Sequence, residues 1–175
     1  PTDDNVVELD ETLILTIQNG SAYNPVTGAG AAATGTIIDD DTATFTIDSV
    51  SVAEGGGTLD FTLSLSNPID TAADVNVSFA DVTTGAGDFT HTTQTISFVA
   101  GETTKMVLVP IIEDNIVELA ETFTANLAIA PGTPLVTRGT DTTDAGVGTI
   151  TDNDLATFTI NSVSVAENAG TLDFT

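Results

Sequence analysis

Apolar and small polar residues alternate at period two through most of this chain. In the middle of the sequence the alternation marks seven runs, each long enough to form a β-strand. These runs are residues 42–50, 58–66, 74–82, 94–101, 104–112, 122–130 and 147–152. Gly, Pro, Asn and Asp clusters separate them, and no window has the apolar spacing of a helix. The pattern predicts an all-β fold, an Ig-like seven-stranded antiparallel Greek-key sandwich.

The same alternation selects the side chains expected between the two sheets. Phe supplies most of the large ones, and the sequence has no Trp. The predicted core comprises Phe45, Ile47, Leu59, Phe61, Leu63, Val75, Val77, Phe79, Ile96, Phe98, Met106, Leu108, Phe123 and Leu127.

Long segments of the sequence occur twice. Residues 36–54 and 149–167 are identical at 15 of 19 positions, with an offset of 113. The segment DNVVELDET at 4–12 returns as DNIVELAET at 114–122, with an offset of 110. A period near 110 residues is too long for a solenoid unit and is typical of one small domain. The chain is therefore predicted to be a tandem array of domains.

The repeats divide the chain into three parts. Residues 1–41 are predicted to be the C-terminal part of one repeat, 42–154 a complete repeat, and 155–175 the N-terminal part of the next. The two flanking parts are expected to contribute two strands each. Leu13, Leu15 and Ile17 would line one face of the first part, and Phe158, Ile160, Leu172 and Phe174 that of the last. We expect the segment to come from a longer array.

Charge narrows the range of partners. The chain has 26 Asp and Glu residues against 2 Lys and Arg residues, a formal net charge of −24. Nucleic acids and anionic membranes bind surfaces that are rich in Lys and Arg, and this sequence has only Lys105 and Arg138. No nucleic-acid partner is therefore predicted. No run of apolar residues is long enough to span a bilayer, so no membrane insertion by this segment is predicted. Without Cys, zinc-thiolate sites are excluded.

The acidic residues concentrate at strand ends. In the complete repeat they are Glu54, Asp88, Glu113, Asp114, Glu118, Asp152 and Asp154, accompanied by Asn153. Many of these positions have acidic equivalents in the two flanking repeats, which are Asp4, Glu8, Asp39, Asp40, Asp41 and Glu167. Crowding so many carboxylates without a cation is costly, and Ca²⁺ takes about six to eight oxygen ligands. The loops of one pole of each sandwich are therefore predicted to bind Ca²⁺.

Four motifs together resemble the Calx-beta domain, which occurs in sodium/calcium exchangers, an integrin subunit and bacterial surface proteins. They are SVSVAE, the GAGDF turn, IIEDNIVELAE and GTITDND. The resemblance implies a calcium-binding sandwich with ligands from Glu54, Asp88, Glu113, Asp114, Glu118 and Asp152 to Asp154. Asn153 replaces an acid, and Asn115 and Ile116 stand where some calcium-binding members have further acids.

Two functions fit this picture. The first is a structural or adhesive array at a bacterial cell surface, extracellular, with calcium stiffening the junctions between repeats. Its partners would be neighbouring repeats of the chain and other copies in a fibre. The alternative is a calcium-sensing regulatory module inside a larger protein. Tandem near-identity favours the array.

An enzyme is not predicted. Paired carboxylates can catalyse glycoside hydrolysis, but that chemistry needs a cleft that binds a sugar. The sequence has no Trp and a single Tyr, Tyr23, that could stack on one. His91 is the only imidazole, without Cys or a nearby acid at the spacing of a catalytic triad. It is expected to be a half-exposed residue at the start of a strand.

Overall fold

Residues 42–154 form two packed β-sheets. The computed structural model of the chain describes residues 2–18, 20–22, 31–131 and 144–175, so Arg138 and Tyr23 lie outside the described residues. The strands are β1 (Glu11–Thr16), β2 (Ala32–Ile37), β3 (Phe45–Ile47), β4 (Val50–Ala53), β5 (Thr58–Leu65), β6 (Ala73–Asp81), β7 (Gln94–Phe98), β8 (Thr104–Pro110), β9 (Glu121–Ile129) and β10 (Ala145–Thr151). One sheet has the order β4-β10-β9-β6-β7 and the other β3-β5-β8. The prediction of an all-β Ig-like sandwich is confirmed.

The first predicted strand, 42–50, is two strands in different sheets. β3 pairs antiparallel with β5, whereas β4 pairs parallel with β10, so the sandwich is not purely antiparallel. At the switch, the Thr62 amide donates to Asp48 Oδ1 at 2.7 Å and the Val147 amide donates to Ser49 Oγ at 3.0 Å. These bonds satisfy backbone groups where the chain crosses between sheets. Gly146 permits the approach, because a Cβ there would lie 2.2 Å from the Asp48 carbonyl oxygen.

Phenylalanine rings fill the space between the sheets. Phe45 meets Phe98 edge to face with centroids 5.3 Å apart, and Phe61 meets Phe123 in the same way at 6.0 Å. Phe89 stacks on Phe123 with centroids 4.0 Å apart. Burying such rings is a large hydrophobic contribution, and paired rings add about 0.5–1.5 kcal/mol per pair. Most of the predicted core is confirmed, with Phe79 and Ile96 partly buried against it.

The predicted phase of β8 is wrong by one residue. Met106 and Leu108 were expected inside but are 51% and 50% exposed, while Val107 and Val109 are fully buried. The reason is pairing with β5, which sets Val107 opposite Phe61 and Val109 opposite Leu59. Met, Val and Leu follow one another here without a break, so alternation cannot choose which set faces inward.

Residues before the sandwich form a hairpin and a docking contact. β1 and β2, the two strands expected in this part, pair antiparallel with all their residues exposed, and Leu13, Leu15 and Ile17 are exposed too. Val7, in contrast, is fully buried and forms an isolated parallel bridge with Ile69. Its amide donates to the Pro68 carbonyl at 3.0 Å, and its carbonyl accepts from the Asp70 amide at 3.1 Å. Val7 thus joins the first part of the chain to the sandwich.

Residues 155–175 do not form the two strands predicted for them. Phe158, Ile160, Leu172 and Phe174 are all exposed, and no described strand pairs with this part of the chain. Local geometry of the complete repeat nevertheless returns. The Asn161 amide donates to the Thr175 carbonyl and the Thr175 amide to Asn161 Oδ1, as Asp48 and Thr62 do 113 residues earlier. No helix among the described residues is long and apolar enough to cross a bilayer.

Candidate metal centre

Four segments bring carboxylates to one region at the strand ends. Glu54 follows β4 and begins a short 3-10 helix, Glu54–Gly56. Asp88 lies between β6 and β7, residues 113–120 lie in the connection from β8 to β9, Glu121 begins β9, and 152–154 follow β10. Glu54 is only 6% exposed, and its Oε1 accepts from the Asp114 amide at 3.2 Å. Residues distant in sequence therefore become neighbours here.

The first carboxylate group consists of Glu54, Asp152 and Asp154. One oxygen from each lies within 4.8 Å of the other two. The Asp154 amide donates to Asp152 Oδ1 at 3.0 Å, which holds the two aspartates in a tight turn. Asp154 Oδ2 is buried and has no hydrogen-bond partner. A buried carboxylate oxygen without a partner is costly, and a cation would satisfy it.

The second carboxylate group consists of Asp88, Glu118 and Glu121, again within 4.8 Å of one another. The Gly85 amide donates to Asp88 Oδ2 at 2.5 Å and orients that carboxylate. Glu121 shares a hydrogen bond with Asp88. The sequence interpretation omitted Glu121, although its recurrence with Glu11 in the two ELDET and ELAET segments was a usable signal.

A cavity of about 10 Å³ lies between the two groups. Its lining comprises Glu54, Asp88, Glu118, Leu119, Glu121, Ile150 and Asp152. A cavity of ~10–15 Å³ holds one water-sized sphere. The cavity is therefore large enough for a single ion and has carboxylates from both groups around it.

Burial and mutual repulsion make these carboxylates harder to ionise. Loss of solvation by burial is the main cause that raises the pKa of Glu54, Glu118 and Asp154, and neighbouring carboxylates raise each further. Burial, and then the hydrogen bond with Asp88, raises the pKa of Glu121 to about 7. Lys105, the one Lys or Arg among the described residues, is paired with Glu102 at 2.6 Å. No described Lys or Arg neutralises the cluster.

Three further predicted residues lie beside the two groups. The Ile116 amide donates to Asp114 Oδ1 at 2.6 Å, which fixes Asp114 next to Glu54. Asn153 Nδ2 donates to Glu113 Oε1 at 3.2 Å. The Asn153 side chain thus donates a hydrogen bond to the Glu113 carboxylate, whereas an acid at this position would repel it.

The first part of the chain gathers a second set of acids. The Glu8 amide donates to Asp39 Oδ2 at 3.1 Å, and the Asp41 amide approaches Asp39 Oδ1 at 3.4 Å. Burial, followed by repulsion from Asp4, raises the pKa of Glu8. Burial also raises the pKa of Asp41, with repulsion from Asp39 and Asp40 after it.

Glu167 stands apart from these sets. It is exposed at the start of the short 3-10 helix Glu167–Ala169. Among the described residues, neither of the two tight carboxylate groups includes it. His91 also lies elsewhere: its Nε2 is 2.6 Å from Asp81 Oδ1 and its ring stacks on Phe89. It precedes β7 and does not lie in a strand.

Comparisons with known proteins agree with this fold. The family model of the Calx-beta domain matches the chain at residues 2–41 and 39–154. The crystal structure of the apo form of the Calx CBD1 domain matches with a TM-score of 0.54 at 21% identity, over 65% of this chain and 100% of that chain. CBD12 from CALX1.2 matches with a TM-score of 0.55 at 21% identity, over 63% and 46%. The calcium binding domain CBD12 of CALX1.1 gives 0.51 at 22%, over 64% and 44%. A comparison with curated proteins gives no match.

Proposed function

This chain belongs to the Calx-beta domain family, and from that premise we propose that residues 42–154 bind calcium between the two carboxylate groups. The observation that carries the proposal is the ion-sized cavity lined by Glu54, Asp88 and Asp152. The buried, unpartnered Asp154 Oδ2 lies in the same cluster. A cation there would offset the repulsion and the lost solvation together.

Calcium suits the chemistry of this cluster better than other common metals. Every candidate ligand is an oxygen, which favours hard cations over zinc or copper. The carboxylates come from four separate loops, and Ca²⁺ accepts such irregular, high-number coordination at ~2.3–2.6 Å. Mg²⁺ demands a near-ideal octahedron and gives up its water reluctantly. We therefore expect selectivity for Ca²⁺ over Mg²⁺.

Isothermal titration of the 175-residue chain tests the proposal. We expect calcium to bind, with Mg²⁺ at the same concentration binding much more weakly. Exchanging Asp152 and Asp154 for Asn should weaken calcium binding at least tenfold, because two charged ligands become neutral. The matched control is Asp60→Asn, which changes an exposed acid on β5 outside the clusters. Absence of binding at millimolar calcium, or equal losses in both variants, would refute it.

At the level of the whole protein, we propose a non-catalytic structural array at an extracellular bacterial surface. Its support is the position of the second set of acids. Asp39, Asp40 and Asp41 lie in the short link between β2 and β3, and Glu8 adjoins the docked Val7. A cation held by these residues would fix both the link and the docking contact. Calcium would then stiffen the junction between neighbouring repeats.

The competing function is a calcium-sensing module. It is favoured by the likeness to CBD12 of CALX1.1, which is itself a calcium binding domain. The two functions differ in affinity. A sensor switches at ~10⁻⁷–10⁻⁵ M calcium, whereas extracellular modules bind at ~10⁻⁴–10⁻³ M. A dissociation constant in the extracellular range supports the array, and one in the sensor range supports the sensing module.

A further inference from the structure

One carboxylate oxygen joins both ends of the loop that carries Asp88, the connection 82–93 between β6 and β7. Asp81, the last residue of β6, accepts at Oδ1 from Thr84 Oγ1 at 2.9 Å, near the start of the loop. The same oxygen lies 2.6 Å from His91 Nε2, near the end of the loop. Asp81 is itself a member of neither carboxylate group. It therefore holds the loop without being one of the candidate ligands.

His91 holds the far end of the loop through both ring nitrogens. Nδ1 is 3.1 Å from the Phe89 carbonyl oxygen, while Nε2 faces Asp81. The ring also stacks on Phe89 with centroids 3.8 Å apart, and Phe89 stacks in turn on Phe123 of β9. Phe89 is fixed in the core, with an exposure of 1%. Because Phe89 directly follows Asp88, these contacts restrict the positions that the Asp88 carboxylate can take.

The near end of the loop is tied to the start of β9. The amides of Val82, Thr83 and Thr84 all donate to the Thr122 carbonyl, at 3.1, 2.9 and 3.3 Å. The Thr122 amide donates back to Thr83 Oγ1 at 2.7 Å. The chain turns here, and the bond from Thr84 Oγ1 to the end of β6 closes the turn. Since Thr122 directly follows Glu121, the near end of the loop also fixes the place of Glu121 in the second carboxylate group.

We propose that Asp81 is a positioning residue for the calcium site, acting through Thr84 and His91 on the second carboxylate group. Ligands that are already held in place lose less conformational freedom when they bind an ion, so the affinity for that ion is higher. Hydrogen-bond partners outside the ligand shell have this effect at many metal sites. The inference rests on the proposed function, since it concerns the same ion and the same ligands.

The bonds of Asp81 matter more for position than for stability. The side chains of His91 and Asp81 are 32% and 44% exposed, and solvent weakens the attraction between exposed charges. The hydrogen bond from His91, and then that from Thr84, lowers the pKa of Asp81, so this carboxylate is charged and accepts both bonds at neutral pH. Variants of Asp81 should therefore fold with nearly the parent melting temperature in chelator.

Calcium titration of the 175-residue chain and its variants tests the proposal. Removing a direct partner of a metal ligand costs about 10–100-fold in affinity, and Asp81 acts one contact further away, so Asp81→Ala should cost about three- to tenfold. Asp81→Asn should retain most of the affinity, because its oxygen still accepts from both donors. The matched control is Asp74→Ala, which removes the same charge at the opposite end of β6, where Asp74 accepts from Ser97 Oγ at 2.6 Å.

Terbium luminescence separates positioning from a purely structural role. Tb³⁺ is a hard cation that takes oxygen ligands as Ca²⁺ does, and its lifetimes in H₂O and D₂O count the water molecules bound to it. A displaced carboxylate in Asp81→Ala should be replaced by about one additional water, because hard cations complete their coordination with water. The count should stay at the parent value in Asp81→Asn and Asp74→Ala. A double variant with His91→Ala should bind no more weakly than Asp81→Ala, since both changes break one link.

Two results would overturn the proposal. One is a parent chain that binds calcium while Asp81→Ala binds it equally well with the same number of waters; the proposed calcium function then stands. The other is an equal loss of affinity in Asp81→Ala and Asp74→Ala, which would assign the effect to charge alone. Should Asp81→Ala not fold, His91→Ala takes its place, and parent-like affinity and water count there refute the positioning role. Failure of the proposed function is distinct, because the parent chain itself would then bind no calcium.

Discussion

Neutralising Glu121 reverses the usual effect of a mutation in a functional cluster. In the parent chain, the carboxylates of Glu121 and Asp88 share one hydrogen bond and therefore one proton. Glu121→Gln keeps the shape of the side chain, and its amide can donate that hydrogen bond to Asp88. The pKa of Glu121 moves from 4.5 to about 7 on folding. At ~1.4 kcal/mol per pH unit, this costs the metal-free fold about 3 kcal/mol at pH 8. Asp88 shares the repulsion, so we expect the variant to recover about 1–3 kcal/mol.

Thermal unfolding in chelator measures this gain. A change of about 2–4 °C per kcal/mol holds for a chain of this size, so the melting temperature should rise by roughly 2–12 °C at pH 8. At pH 4 the side chain of residue 121 is uncharged in the folded parent as well as in the variant, so the difference in melting temperature should vanish. With calcium the order should reverse, because an amide is a poorer ligand than a carboxylate. A variant that is less stable than the parent at pH 8 in chelator would refute the reasoning, as would a gain of equal size at pH 4.

Three further predictions follow from the same structure. In chelator, the parent chain should lose stability as the pH rises from 4.5 to about 7, because the raised pKa of Glu121 favours the protonated fold; calcium should remove this loss in a pH series of melts. Gly148→Ala should cost about 1–3 kcal/mol in urea unfolding, since its Cβ would lie 2.4 Å from the buried ring of Phe123; no change would contradict the packing. Val7→Asp should release the first part of the chain to limited proteolysis, whereas Val117→Asp, the repeat-equivalent change at an exposed residue, should not.

The sequence predicted the sandwich and most of its core because alternation and turn residues are local signals. Phe45 and Ile47 alternate in one phase, and Val50 and Val52 in the other. That change of phase at Asp48 and Ser49 marks the switch between sheets, but a single strand was predicted across it. Alternation could not set the phase of β8, since its apolar residues are continuous and only pairing with β5 distinguishes them.

The candidate site was predictable to the level of loops. Repetition singled out acids such as Asp152 and Asp154, and the structure brings both next to Glu54. Glu121 was not predicted as a ligand because it begins a strand, where an acidic residue is common without a metal. The docking of Val7 on Ile69 had no local signal: the equivalent Val117 in the same motif is half exposed, so tertiary contacts alone distinguish the two.

The central claim is that calcium binds between the two carboxylate groups. A crystal structure of the 175-residue chain, from crystals grown in millimolar calcium, tests it most directly. The claim predicts an ion in the cavity between the two carboxylate groups, with carboxylate oxygens of Glu54, Asp88 and Asp152 at coordination distances of ~2.3–2.6 Å. Anomalous scattering would identify it as calcium. A cavity that stays empty under those conditions, with Asp154 Oδ2 bonded to another protein group, would contradict it.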